Sequence, residues 1–157
     1  MSDFTPKEKM TVASVKRFVE GCVAKKPILE RWSSEGDAGC IDYARQLKKA
    51  LEKEGLLMTE QEGSGHISLT DDLSRKDGDK IIVDPSYSQF LHYDPNLGIP
   101  PILVGTVGEL RRFFLTHRNH GTNELKKDPD AFVDALYVTT EKPKYSEEDE
   151  LRLKKYG

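Results

Sequence analysis

A cysteine, a histidine and an aspartate are spaced along this chain in a way that suits nucleophilic chemistry on an amide. Cys40 follows a glycine-rich turn and begins an amphipathic helical pattern, where unpaired N–H groups favour a thiolate. His66 begins a short strand pattern, and Asp84 ends the next one. In an antiparallel hairpin the carboxylate can orient the imidazole, which then acts as base for the sulfur. The three residues predict a catalytic triad.

Each of the three residues also has a structural interpretation. Cys40 could be a buried structural thiol, His66 could be merely exposed, and Asp84 could terminate its strand by capping local amides. Zinc would be a competing use of the same atoms. Only His117 and His120 have ligand spacing, no cysteine pair accompanies them, and a helix C-terminus explains them equally well. We therefore predict neither a metal nor a cofactor.

Two helices are indicated before the first strand. Apolar residues recur at helical spacing over residues 8–24, and Cys22 falls on that apolar stripe as an expected buried thiol. The clearest helix follows Asp37, a suitable N-cap that makes Cys40 the third helical residue. Gly55 is a natural end for this helix. Its apolar side includes Cys40 and should pack on the core.

The strand patterns predict a small antiparallel sheet. Residues 66–70 and 80–84 are expected to pair as a hairpin, whereas residues 56–63 show little periodicity. Residues 102–105 form a further short strand pattern. A capping box from Thr106 to Glu109 then opens a helix through about Thr116.

The last third of the chain gives weaker signals. Residues 131–139 combine helical spacing with strand-forming residue types, so the pattern does not decide between them. Ser146 starts a charged helix that we expect to be poorly packed, so residues 141–157 are expected to form a peripheral helical tail.

Composition favours a single globular domain of 157 residues. The formal net charge is −3, from 24 basic and 27 acidic residues, so neither nucleic acid nor an anionic membrane is a favoured partner. Two cysteines are too few for a disulfide framework. We expect no membrane span and no cleavable signal peptide. A cytoplasmic protein as synthesised is expected, and export by a specialised secretion route is compatible with the sequence.

The stretches around these residues resemble the papain-like, transglutaminase-like cysteine fold, and more narrowly the glutamine-deamidase domains of bacterial toxins and injected effectors. The resemblance covers about residues 36–91. It rests on three strings: Gly39-Cys40-Ile41-Asp42-Tyr43-Ala44, Gly65-His66, and Ile82-Val83-Asp84-Pro85-Ser86-Tyr87-Ser88-Gln89-Phe90. The last is the most specific, since it is similar to the family's Val-Asp-Pro-Thr/Ser-Tyr-x-Gln-Phe element.

The resemblance implies an α+β fold in which the nucleophile helix packs on a small antiparallel sheet. It implies a Cys40 nucleophile, a His66 base and an orienting Asp84, acting on a carboxamide through a thioester. Papain-like proteases use a glutamine upstream of the cysteine for the oxyanion, and none precedes Cys40 here. That departure weakens the protease interpretation and leaves backbone amides, Gln61 or Gln89 as oxyanion donors.

Further residues are candidates for the pocket around this triad. They are Gly39, Trp32, Gln89 and Tyr87. Packing in the core is a competing interpretation of Trp32, Gln89 and Tyr87.

The leading functional prediction is a protein-glutamine deamidase or transglutaminase of effector or toxin type. Its expected partner is a protein that supplies a glutamine side chain. A cysteine protease of the same fold, and a non-catalytic binding module that keeps the fold, are the alternatives. The sequence leaves the oligomeric state open.

Overall fold

A computed structural model describes residues 11–24, 40–75, 80–91 and 98–154. The α-helices are α1 (Val12–Ala24), α2 (Cys40–Lys53), α3 (Val107–Thr116), α4 (Asn123–Lys127), α5 (Pro129–Val133) and α6 (Glu147–Leu153). The strands are β1 (Thr59–Gly63), β2 (His66–Thr70), β3 (Ile81–Asp84) and β4 (Leu103–Thr106). Two 3₁₀ turns (Tyr87–Phe90 and Arg118–His120) and a π-helical turn (Asp134–Val138) complete the elements. No helix in these ranges is long and apolar enough to cross a bilayer.

The four strands form one antiparallel sheet in the order β1-β2-β3-β4. The predicted hairpin of β2 and β3 is confirmed, with Leu69 opposite Val83. Residues 56–63, which show little periodicity, contain a strand that the sequence did not predict, because β1 occupies most of them. A two-residue turn joins β1 to β2, and both of its residues, Ser64 and Gly65, have positive φ (53° and 79°). Two positive φ values in a row are typical of the tight hairpin turn that matches strand twist.

Helices cover both faces of the sheet. On what we call the α2 face, Ile67 and Leu69 of β2 and Val83 of β3 pack with α1 and α2. On the opposite α3 face, Ile82 and Leu103 pack with α3, α5 and the π-helical turn. Side chains alternate along a strand, so each strand contributes to both cores. The predicted packing of helices, α2 among them, on a small antiparallel sheet is confirmed.

Local sequence signals explain several element boundaries. The predicted capping box is present at α3: the Thr106 hydroxyl accepts from the Glu109 amide at 3.2 Å, and the Glu109 carboxylate accepts from the Thr106 amide at 3.0 Å. The ambiguous residues 131–139 are mostly helical, in α5 and the π-helical turn. A Cβ at Gly63 would lie 2.3 Å from the Ala135 carbonyl oxygen, so β1 ends where only glycine fits against that turn.

The C-terminal helix is tied to the domain more closely than predicted. Ser146 caps α6 by accepting from the Asp149 amide, and Leu153 is only 2% exposed. Arg152 reaches back to Asp42 in the first turn of α2, with both N–O distances at 3.2 Å. Just before this helix, the backbone of Glu141 pairs with Glu62 of β1. Residues 141–153 therefore contact two elements of the domain.

Candidate active site

His66 and Asp84 meet in the interior, as the hairpin predicts. His66 Nε2 lies 2.6 Å from Asp84 Oδ2, and the two side chains are 4% and 0% exposed. The alternative of an exposed histidine is therefore wrong. A carboxylate can only accept, so Nε2 carries the proton and Nδ1 of a neutral ring is the acceptor. Nδ1 is thus the nitrogen that could take a proton from a nucleophile.

Asp84 is held by donors on both carboxylate oxygens. Oδ2 also accepts from the Tyr137 hydroxyl at 2.6 Å. Oδ1 accepts from the Ser86 amide at 3.0 Å and from the Ser86 hydroxyl at 3.4 Å. Asp84 therefore accepts from a local amide, as its structural interpretation predicts, and also contacts His66. These contacts hold the carboxylate in one orientation. They also supply the hydrogen bonds that its oxygens need in an interior that solvent does not reach.

Tyr137 is a member of this cluster that sequence reasoning missed. It lies in the π-helical turn, in a stretch whose pattern did not distinguish helix from strand, so the sequence carried no signal for its partner. Its side chain is 0% exposed. Burial, and then the negative charge of Asp84, raise the pKa of the Tyr137 hydroxyl well above its ordinary value. Tyr137 therefore stays protonated and donates to Asp84.

The raised pKa of Tyr137 predicts a loss of stability in alkali. Above about pH 10 the unfolded chain releases this proton while the folded protein keeps it, so stability falls as pH rises. One such group contributes a slope of about −1.4 kcal/mol per pH unit to the free energy of unfolding. Urea unfolding between pH 8 and 11.5 should show Tyr137→Phe with a slope shallower by that amount. Equal alkaline slopes for the two proteins would contradict the assignment.

The other ring nitrogen of His66 faces a carboxamide. Gln89 Nε2 lies 3.1 Å from His66 Nδ1, although Gln89 itself is exposed. The Phe90 ring meets the imidazole edge-on at a centroid distance of 4.8 Å, and Tyr137 does so at 6.5 Å. The imidazole therefore lies between aromatic edges and one movable polar side chain. Gln89 is thus a neighbour of the predicted base, whereas its part in a pocket stays a prediction.

The chain path from α2 into β1 favours a start of α2 at the same end of the sheet. After α2 ends, the amide of Leu56 bonds back to Leu51, so the chain turns back on the helix end before β1 begins. Arg45, five residues after the helix start, pairs with Glu60 of β1 at 2.8 Å. A helix of 14 residues is about 21 Å long, close to the length of a five-residue strand plus its turn. We therefore expect Cys40, the first residue of α2, to lie near the turn that precedes His66.

The sheet itself lies between much of α2 and the imidazole. His66 and Asp84 project to the α3 face, together with Ile82, whereas α2 packs on the opposite face. A contact between the sulfur and the imidazole must therefore pass around the end of the sheet, beside the Ser64–Gly65 turn. The Cys40 sulfur lies outside the described part of the structure, so its distance from His66 stays a prediction.

The remaining pocket candidates have different outcomes. Gly39, Trp32 and the predicted N-cap Asp37 lie outside the described residues, as does the side chain of Cys22. Tyr87 does not line an open pocket, because it is 0% exposed in the core of the α3 face and its hydroxyl donates to the Pro100 carbonyl. Burial raises its pKa above the ordinary range.

Gln61 does not suit the role of oxyanion donor. It is fully buried, its amide nitrogen donates to Ser68 at 3.0 Å, and its oxygen accepts from Thr140 at 3.0 Å. Both ends of the carboxamide are therefore committed to internal partners.

Of the two histidines considered as zinc ligands, His117 has a structural role. His117 is the C-terminal cap of α3, and its Nδ1–H donates to the Phe113 carbonyl at 2.8 Å. Its ring also packs on Phe113. Within residues 11–24, 40–75, 80–91 and 98–154, no three histidine, cysteine or acidic residues form a group suited to a metal ion.

Comparisons of this chain with protein-family models, curated proteins and solved structures found no match.

Proposed function

We propose that this protein is a cysteine-dependent amidohydrolase or acyltransferase that acts on a glutamine side chain of another protein. The observation that carries the proposal is the buried His66–Asp84 hydrogen bond of 2.6 Å. We expect the Cys40 helix to begin at the same end of the sheet. The sequence motifs around all three residues resemble protein-glutamine deamidases, which supports the same reaction class. The proposal includes a papain-like fold and export of the protein as an effector.

In the proposed reaction His66 and Cys40 form an imidazolium–thiolate pair. The sulfur attacks the glutamine carbonyl carbon, and backbone amides at the start of α2 receive the developing oxyanion. His66 Nδ1 gives its proton to the departing amide nitrogen, which leaves as ammonia, and a thioester remains. Water then gives a proton to Nδ1 and attacks the thioester, which restores the imidazolium–thiolate pair and releases the product acid, which ionises to glutamate. An amine in place of water gives transglutamination.

Asp84 keeps the imidazole in the required tautomer during both steps. Its carboxylate accepts from Nε2–H, so the proton that moves is always on Nδ1. It also offsets the positive charge of the imidazolium inside a buried site. Tyr137 and Ser86 keep the carboxylate from turning away, because each occupies one of its oxygens.

Differential alkylation tests the nucleophile. A mild alkylating agent should label Cys40 much faster than Cys22, with a rate midpoint below the pKa of about 8.5 of a free thiol. His66→Ala should abolish that advantage, since the imidazole stabilises the thiolate. Equally slow labelling of both cysteines in the wild type would reject the proposed chemistry.

Intact-mass spectrometry of candidate partner proteins tests the reaction. Wild-type protein should convert a glutamine to glutamate, a gain of one mass unit, and Cys40→Ser should not. Covalent attachment of an amine would identify a transglutaminase, and backbone cleavage a protease. An effect in cells that survives Cys40→Ser would instead identify a non-catalytic binding module.

A further inference from the structure

Gln89 presents a primary carboxamide to the ring nitrogen that the proposed reaction uses. Because Asp84 holds Nε2–H, a neutral His66 accepts at Nδ1, and the Gln89 amide donates to it across 3.1 Å. A base must lie within about 2.6–3.2 Å of the atom with which it exchanges a proton. The nitrogen of Gln89 therefore occupies a position from which a leaving amide nitrogen could receive its proton.

From this geometry we propose that the space beside His66 Nδ1 is a subsite for a primary carboxamide, and that Gln89 occupies it as an internal competitor. The inference rests on the proposed function, because it assigns the place of the substrate's amide nitrogen. With a neutral His66, Gln89 stands in for that substrate group. Because the Nδ1 of an imidazolium cannot accept from an amide, the Gln89 side chain has to rotate away before His66 pairs with Cys40 and the substrate binds.

The surroundings of Gln89 make such a movement feasible. Its neighbour Tyr87 is fully buried and the preceding Ser86 donates to Asp84, so the 3₁₀ turn itself is anchored. Gln89 and Ser88 are exposed on that turn. Only the Gln89 side chain has to rotate, and water can then replace its hydrogen bond to His66. The free energy of one ordinary hydrogen bond corresponds to a ratio of about 2- to 10-fold between the populations with and without the Gln89–His66 contact. Competition by Gln89 should therefore weaken substrate binding by that factor.

Acetamide titrations followed by the His66 ring nitrogen resonances test the subsite without any chemistry. In a Cys40→Ser background, Gln89→Ala should bind acetamide about 2- to 10-fold more tightly. N,N-dimethylacetamide has no N–H to donate, so it should show no such gain. Ser88→Ala, on the same turn, should bind acetamide as the parent does. Equal acetamide affinity with and without Gln89, or an equal gain for the dimethyl compound, would overturn the proposal.

Kinetics separate an internal competitor from a residue that positions the imidazole. With a protein substrate, Gln89→Ala should lower KM by about 2- to 10-fold and leave kcat within a factor of about two. A fall in kcat at constant KM would overturn the proposal and assign a positioning role instead. Failure of the proposed function looks different: Cys40 would be unreactive, while the acetamide titration would still respond to Gln89.

Discussion

Replacing Asp84 by asparagine is expected to lower kcat by about 10⁴-fold under the proposed mechanism. Asparagine preserves the size of the side chain, but its amide can donate to the imidazole. The ring then shifts its proton to Nδ1, which can no longer act as the base. The neutral side chain also leaves the imidazolium without its buried counter-charge. Steady-state deamidation rates and the pH profile of Cys40 alkylation measure both effects.

Ser86→Ala is the matched control for the Asp84 variant. It removes the longest of the four contacts to the carboxylate, a hydroxyl at 3.4 Å, and keeps the Ser86 amide. We expect its kcat to stay within about tenfold of wild type, because His66 and Tyr137 still hold Asp84. If Asp84→Asn also stayed within tenfold while folding normally, Asp84 would have a structural role only.

Replacing Arg152 by alanine is expected to destabilise the protein by about 1–3 kcal/mol. Its guanidinium is bidentate on Asp42, whose side chain is only 2% exposed. We expect less than the full cost of breaking a buried pair, because Arg152 is 40% exposed and water can reach its side of the contact. Urea unfolding measures the change in free energy.

The same Arg152 substitution should slow the alkylation of Cys40. Asp42 lies two residues after Cys40, in the first turn of α2, and Arg152 offsets its negative charge. Loss of that cation makes a thiolate at the helix start less favourable. As a control, Arg112→Ala removes an exposed arginine of α3 and should change neither the free energy of unfolding nor the alkylation rate of Cys40. Unchanged stability in Arg152→Ala would mean that the Arg152–Asp42 ion pair contributes nothing to stability.

The sequence was most informative where a short motif determines local structure. The capping box at α3 and the end of that helix at His117 depend on neighbours only a few residues away, and both were predictable. The β2–β3 pairing was predictable because both strands are apolar and bounded by turns. His66 and Asp84 followed from that pairing, since each lies at a strand end.

Contacts made over long distances along the chain could not be predicted in this way. Gly63 ends β1, whose polar and acidic residues lack a strand pattern; that strand depends on a tight turn and on its neighbours. Tyr137 reaches Asp84 across 53 residues, and Arg152 reaches Asp42 across 110. No pattern within a helix or strand indicates such partners, because they are set by how the layers pack.

The backbone pairing of Glu141 with Glu62 has a consequence for how this protein behaves in concentrated solution. β1 is an outer strand of the sheet, and its free N–H and C=O groups would be a template for a strand from another molecule. The segment at Glu141 occupies part of that template. Chains cut before residue 141 should therefore self-associate or form fibrils more readily than the full-length protein, even if the remaining residues fold correctly.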